Sequence, residues 1–355
     1  MLSEEVTIHD VARTARVSPS TVSNVLNGRT ERMRPETSER VRRAIKQLGY
    51  APNQAARQLK TGFVPVLGLI VPSVANPFWG AFARSVEKAA LAEGYQVLLC
   101  NGERDPKREQ QYAESLWGRG IRGVMFGSSP VSFDHFLELS ERGLQVVAFD
   151  RQAQNTDQVG FDSISVDNEL GVRLAVNYLL ALGHRRIGFL SGPIRTVNRL
   201  NRLDGFRSAL ADADVPFDEQ LVWEGALSSS FGDIEGTDIG RTAARDLLSR
   251  PKRPTALFAI NDMYAFGAYA GARDLGLRIP QDVSIIGFDD IVLAEIVDPP
   301  LTTIRQPLDS MMQSAVRLLI GRLEETRTGP PEHMTATPEL IVRGSTTQVS
   351  LKDEQ

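Results

Sequence analysis

Val66-Leu67-Gly68-Leu69-Ile70-Val71 is a nearly unbroken apolar run, the pattern of a strand covered on both faces. Comparable runs recur at Tyr95–Leu99, Gly123–Phe126, Gln145–Phe149, Arg186–Leu190, Ala256–Ile260 and Val283–Phe288. Helical spacing lies between them, as in Ala81–Glu93 and Leu174–Leu182. Strands alternating with helices predict an α/β body with parallel sheets. About 280 residues is large for one doubly wound sheet. A fresh strand at Arg186, directly after the Leu174–Leu182 helix, marks a second unit. Two stacked lobes are therefore expected, with a ligand cleft at the carboxyl ends of their strands.

The first 62 residues read differently. Thr7 precedes Ile8–Ala15, with Asp10 placed as a capping-box acid. Ser18 caps a second helix that has Pro19 at its first position, runs through Val22, Val25 and Leu26, and stops at Asn27-Gly28. A third starts at Pro35, with Val41, Ala44, Ile45 and Leu48 at helical spacing before Gly49. Two short helices joined by Arg16-Val17-Ser18 form a helix-turn-helix arrangement, with Val11, Ala12, Ala15, Val17, Val22 and Val25 as its small core. The polar face of the second helix carries Ser20, Thr21, Ser23 and Asn24, side chains suited to base edges or phosphates. Arg13, Arg16, Arg29, Arg32 and Arg34 can fix the backbone register of a duplex. A fourth stretch, Asn53 to Lys60, has too few apolar residues to order without a partner. The expected organisation is a DNA-binding head at 1–51, a hinge helix and linker at 52–62, the two-lobed body at 63–345, and a flexible tail at 346–355.

Charge sharpens this division. The 355 residues carry a formal net charge of −4. Residues 1–62 hold 11 Lys or Arg against 6 Asp or Glu, a local +5, and the remainder carries −9. A basic head on an acidic body fits a head that meets phosphates. One cysteine leaves no intramolecular disulfide framework. No apolar stretch is long enough for a membrane span, and no apolar run follows the opening Met-Leu-Ser-Glu-Glu, so a cytoplasmic location is expected.

The candidate ligand residues in the body lie just beyond strands. Asn76, Phe78 and Trp79 follow the first run, Asp150 and Arg151 follow Val146–Phe149, Asn261 and Asp262 follow Leu257–Ile260, and Asp289 and Asp290 follow Ile285–Phe288. Arg202 sits where the chain enters a helix after Phe189-Leu190-Ser191-Gly192-Pro193. Carboxylates, an amide and a guanidinium converging on aromatic rings suit a polyhydroxylated ligand. Asp262 and Asp290 can equally cap helices. No set of nucleophile, base and orienting group accompanies these residues, and HExxH, Gly-Lys-Thr/Ser and GxSxG are missing from the sequence. The four histidines are expected outside the pocket, with His135, His184 and His333 on helices, turns or loops. Neither enzymatic activity, a cofactor nor a metal is expected.

Several separated motifs resemble the LacI family of bacterial transcriptional regulators. They are Thr7-Ile8-His9-Asp10-Val11-Ala12, Val17 through Asn27, Arg40-Val41 through Leu59, Asn76-Pro77-Phe78, Asn261-Asp262, Gly287-Phe288-Asp289-Asp290 and Pro300 through Pro307. The resemblance implies a helix-turn-helix head with a hinge helix on a two-lobed, periplasmic-binding-protein-like body with parallel sheets. It implies a repressor that acts as a homodimer on pseudo-palindromic operator DNA. DNA contacts would come from Thr7, Ser18, Pro19, Ser20, Thr21, Ser23, Asn24, Asn27 and Arg29, and from Asn53, Ala56, Leu59 and Lys60 of the hinge. Leu59 matches the leucine that wedges into the minor groove, where an apolar side chain unstacks a base step. Arginine is common in the family at position 24, so operator preference differs there. Effector contacts are implied at Asp150, Arg202, Asn261 and Asp289, with Thr196 and Asn198 in the same contact loop. A second arginine common two residues before Arg202 is Leu200 here. Sugars or their derivatives are the favoured effectors. Phe78 and Trp79 also resemble the purine-contacting positions of the purine repressor, which keeps a nucleobase corepressor open. The alternative class is a two-lobed solute-binding protein, which the basic helical head opposes.

Overall fold

A computed structural model describes residues 6–26, 28, 30, 33–50, 64–151, 154, 160–225 and 236–349. The chain divides into two compact units, Met1–Val64 and Pro65–Gln355.

Among the described residues, the smaller unit holds three helices: α1 (Ile8–Ala15), α2 (Pro19–Leu26) and α3 (Pro35–Leu48). Asp10 accepts from the Thr7 backbone N–H at 3.0 Å and from the Thr7 hydroxyl at 2.6 Å, which closes the start of α1 and holds the Asp10 carboxyl below its ordinary range. Arg16, at φ 53°, ends α1 in the left-handed region and turns the chain toward α2. Ser18 Oγ accepts from Thr21 N–H at the start of α2. Val11, Ala12, Ala15, Val22, Val25, Val41 and Ala44 are buried together, with Val17 half-buried against them. Arg40 donates from α3 to the Ala15 carbonyl at 2.9 Å, which fastens the end of α1. The hinge segment and the rest of 51–63 lie outside the described residues.

The larger unit contains two six-stranded sheets. The first has the order β11-β5-β4-β3-β1-β2, from β1 (Val66–Val71), β2 (Gln96–Asn101), β3 (Gly123–Phe126), β4 (Gln145–Phe149), β5 (Asp162–Val166) and β11 (His333–Ala336). The second has the order β12-β10-β9-β8-β6-β7, from β6 (Ile187–Leu190), β7 (Val222–Trp223), β8 (Ala256–Ala259), β9 (Ser284–Asp289), β10 (Thr302–Arg305) and β12 (Glu339–Ile341). All pairs are parallel except β10 with β12. The helices are α4 (Pro77–Ala92), α5 (Pro106–Gly118), α6 (Leu137–Glu141), α7 (Asn168–Ala181), α8 (Val197–Asp212), α9 (Gly236–Leu248), α10 (Asp262–Asp274) and α11 (Leu308–Leu323).

Alternation along the strands decides which core each side chain joins. Leu67, Leu69 and Val71 of β1 join one cluster, and Ile70 points to the other. Met125 and Val147 take the first side while Val124, Phe126, Val146 and Ala148 take the second. The first cluster continues into the second lobe through Phe189, Phe258 and Phe288.

The chain passes between the lobes at Asp167, at Gln306-Pro307 and between β11 and β12. Helix α11 thereby returns to the first lobe, where Arg322 makes a two-pronged ion pair with Asp162 at 2.9 Å.

Several boundaries differ from the sequence expectation. Helix α4 begins at Pro77 rather than Ala81, because Asn76 caps it and Pro77 occupies its first position. Helix α7 begins at Asn168 rather than Leu174, since Asp167 Oδ1 accepts from Leu170 N–H. Strands β5 and β10 carry Ser and Thr at buried positions, so no apolar run announced them. His333 opens strand β11 instead of lying on a helix, turn or loop. The tail is docked as far as Val349, whose N–H donates to the Leu182 carbonyl at 3.0 Å, and Thr347 N–H donates to Ser284 Oγ at 3.1 Å. Backbone pairing holds this polar segment, and such pairing leaves no apolar signature. Residues 350–355 lie outside the described residues.

Candidate functional site

The smaller unit exposes Thr7, Ser18, Ser20 and Asn24, with Pro19, Thr21 and Ser23 half-buried. Ser18 Oγ lies 2.7 Å from Ser20 Oγ and 2.9 Å from Thr21 Oγ1, so three hydroxyls sit together at the start of α2. Asn27, Arg29, Asn53, Ala56, Leu59 and Lys60 lie outside the described residues.

In the larger unit, a narrow cavity of about 30 Å³ lies between the lobes. Asn76, Phe78, Trp79, Asp150, Asn198, Arg202, Asn261 and Asp289 all line it. Strand ends deliver these residues because each parallel strand stops at the cleft and the chain turns into a helix. Asp150 and Asp289 make that turn at φ 57° and 116°, left-handed backbone that costs energy for a residue with a Cβ. Asn76 Oδ1 accepts from Phe78 N–H and Asn261 Oδ1 from Tyr264 N–H, both at 3.0 Å. Each asparagine thus caps a helix and keeps its NH₂ group as a second function.

Asp150 is the hub. Its Oδ1 accepts from Asn168 Nδ2 at 2.5 Å, its Oδ2 accepts from Asn198 Nδ2 at 2.7 Å, and Arg202 Nη2 stands 3.7 Å from the same Oδ2. Arg202 donates from Nε to Asn168 Oδ1 at 2.7 Å and from Nη1 to the Ile260 carbonyl, and lies 3.5 Å over the Phe288 ring. Its burial lowers its pKa; Asp289 and Asp150 oppose that shift, and Arg199 and Arg104 reinforce it. Gln306, on a passage between lobes, donates to Asp289 Oδ1 at 2.8 Å, and its buried Oε1 has no partner. Phe78, Trp79, Phe82 and Phe149 form a mutually packed aromatic wall with ring centroids 4.6–6.4 Å apart.

Four other expected residues stand elsewhere. Thr196 does not line the cavity; its hydroxyl donates to Asn198 Oδ1 at 2.5 Å and so orients the side chain that does. Arg151 turns away into the first lobe, donating to the Pro130 and Val131 carbonyls and lying over Phe133 and Phe161. Asp262 is fully buried, accepting from Thr303 Oγ1 at 2.6 Å and from Ile291 N–H at 2.9 Å, and burial raises its pKa well above the carboxylate range. Asp290 pairs with Arg305 at 2.6 Å and Arg343 at 2.7 Å.

The lining also includes Arg104, Arg199 and Gln306, which the sequence reading did not assign to it. Arg104 follows the carboxyl end of β2, so the strand-end rule applied to the other candidates reaches it as well. Leu200, where the resemblance places an arginine, is exposed, and the neighbouring Arg199 is the one that lines the cleft. Among the described residues, no group of three or more His, Cys, Asp or Glu could hold a metal ion. No described helix is long and apolar enough to cross a membrane.

Residues 7–53 match the family model described as bacterial regulatory proteins, lacI family, and residues 176–346 match the periplasmic binding protein-like domain. The chain is 35% identical over 346 residues to the HTH-type transcriptional regulator DegA of Bacillus subtilis (strain 168), spanning 98% of this chain and 99% of that one. It is 36% identical over 344 residues to the ribose operon repressor of Escherichia coli (strain K12), spanning 96% and 99% of the two chains. The crystal structure of the lac repressor dimer bound to operator and the anti-inducer ONPF superposes with a TM-score of 0.83 at 25% identity, covering 97% of this chain and all of that one.

Proposed function

This chain belongs to the LacI family of bacterial regulatory proteins, and from that premise we propose that it is a repressor whose operator affinity is set by a polyhydroxylated effector, a sugar or sugar derivative. It acts as a cytoplasmic, nucleoid-associated homodimer on pseudo-palindromic duplex DNA and carries out no enzymatic step. The observation that carries the reading is Asp150, which stands in one lobe and is bonded to Asn198 and Arg202 of the other inside a closed polar cleft. A ligand that takes over those bonds changes how the lobes close. DNA and ligand affinities are then coupled reciprocally, by typically about 1–3 kcal/mol.

On the DNA side, the hydroxyl cluster at the start of α2 and Asn24 face the major groove, and the surrounding arginines neutralise phosphates. The hinge segment Asn53–Lys60 folds against the minor groove, with Leu59 as the wedge. On the ligand side, the aromatic wall supports a sugar over a planar base. Its rings are engaged edge-to-face with one another, while amides, carboxylates and guanidiniums supply most of the remaining lining.

Footprinting the purified chain on DNA upstream of its own gene tests the first half. Metabolites titrated against the protected fragment then give the effector and the sign of its action. Protection of no duplex at low salt overturns the repressor reading, and a purine that alone shifts operator affinity overturns the sugar reading.

A further inference from the structure

The inter-lobe cleft holds three guanidiniums, Arg104, Arg199 and Arg202, against two carboxylates, Asp150 and Asp289. Arg202 is matched to the carboxylates, with Asp150 at 3.7 Å and Asp289 also stabilising its charge. Arg199 is not matched. It is 5% exposed, its one hydrogen bond among the described residues runs from Nη1 to the Pro193 carbonyl at 3.0 Å, and the Tyr264 ring centroid lies 5.8 Å from its guanidinium carbon. No carboxylate of the described residues forms an ion pair with it. A guanidinium withdrawn from water without a counter-ion is unfavourable, and its remaining N–H donors need acceptors. The like charge of Arg202 acts on the same small volume, and the two guanidiniums oppose each other.

We propose that the effector carries an anionic group, a phosphate ester or a carboxylate, on its polyhydroxylated frame, and that Arg199 is the side chain that selects it. This rests on the reading of the cleft as the effector site. The planar fork of Arg199 offers parallel donors to two oxygens of the anion, a geometry that an alcohol cannot match. Asp150 and Asp289 remain the acceptors for hydroxyl groups elsewhere on the same ligand.

The test is calorimetric binding to the full-length chain with matched probes: glucose, gluconate and glucose 6-phosphate, ribose and ribose 5-phosphate, galactose and galacturonate, and inorganic phosphate alone. At least one anionic member is expected to bind about 10- to 100-fold more tightly than its neutral counterpart, the range of a charge-assisted pair. The phosphate and carboxylate arms tell which anion is meant. Arg199→Gln is expected to erase that preference, bringing the anionic and neutral members to comparable affinity. Arg199→Gln without ligand should also melt no lower than the unsubstituted chain, because it removes an uncompensated buried charge. Should Arg199→Gln fail to fold, Arg199→Lys serves instead, and is expected to keep part of the preference.

Neutral sugars that bind as tightly as their anionic derivatives overturn the proposal. So does an anion preference that survives Arg199→Gln, a signal that inorganic phosphate alone reproduces in both proteins, or no binding by any anionic probe. Operator protection is measured on the same preparations. A chain that protects operator yet ignores anions overturns this inference alone; one that prefers anions yet protects no DNA overturns the regulator reading alone.

Discussion

Asp150, at the end of a strand in the first lobe, accepts a 2.7 Å hydrogen bond from Asn198, on the first turn of a helix in the second. Thr196 holds Asn198 from behind, and Ser129 Oγ accepts from the Asn198 backbone N–H at 3.3 Å while its own hydroxyl donates to the Asp150 carbonyl at 2.5 Å. The two lobes therefore meet through a bonded chain that lines the cleft.

Asp150→Ala removes the acceptor for Asn168 and Asn198 and one of the two carboxylates that face Arg202. Taking one partner from a buried charged network costs about 3 kcal/mol. Urea denaturation of the effector-free chain should show a loss of that order, and the effector should no longer change operator affinity. A chain of unchanged stability that still responds to effector would contradict the hub role.

Asp262 predicts a pH effect. Burial raises its pKa, so the folded state holds the proton more tightly than the unfolded chain does. The associated stability is complete below the ordinary carboxylate value near 3.8 and is lost as pH rises through the folded-state value. Asp262→Asn keeps an acceptor for Ile291 N–H and can donate to Thr303. Its stability should fall less steeply than that of the unsubstituted chain as pH rises above the ordinary carboxylate value near 3.8, as read from thermal denaturation along that rise. Parallel curves would show that Asp262 does not carry this titration.

Gly267 lies on α10 where α9 crosses it, and a Cβ there would run into the Thr237 carbonyl oxygen and stand 2.9 Å from the Gly240 Cα. Both obstacles are backbone, so neither can swing aside. Gly267→Ala is expected to lower stability by about 3 kcal/mol despite alanine's better helix propensity. Gly80, with open space around its Cβ position, provides the control: Gly80→Ala should be neutral or stabilising by about 1 kcal/mol.

Leu59→Ala separates wedge from linker. Operator affinity should fall much more than affinity for random duplex, measured at one salt concentration, because only the specific complex contains the kinked step. An equal loss on both would remove Leu59 from DNA recognition.

Asn24→Ala should relax the base preference at one operator position, costing about 1–3 kcal/mol there, and leave the salt dependence of binding unchanged. A change in salt slope instead would mark Asn24 as a backbone contact.

Much of this molecule is legible along the chain, for a local reason. The helix-turn-helix rests on caps and apolar spacing within a few residues of each other, and Thr7, Asp10, Ser18 and Gly49 mark its helix ends without help from the body. Strand ends likewise disclose Asn76, Asp150, Asn261 and Asp289, because parallel strands of one sheet all stop on the same edge. Strands β5 and β10 escaped notice because their Ser and Thr side chains satisfy polar groups across the sheet rather than follow an apolar pattern.

The sequence by itself determined the helices of the head, the apolar strands of the body, the head-and-body division and the split of charge, all properties of neighbouring residues. Only the tertiary structure decided that β11 joins the first sheet while β12, a few residues later, joins the second. It also decided that Arg151, just past a strand end, turns into a lobe while Arg199, on the first turn of a helix, enters the cleft, although both carry the same charge. Periodicity fixes which face of an element is apolar. Which guanidinium stands beside a carboxylate, and which does not, depends on groups dozens of residues apart meeting where the lobes close.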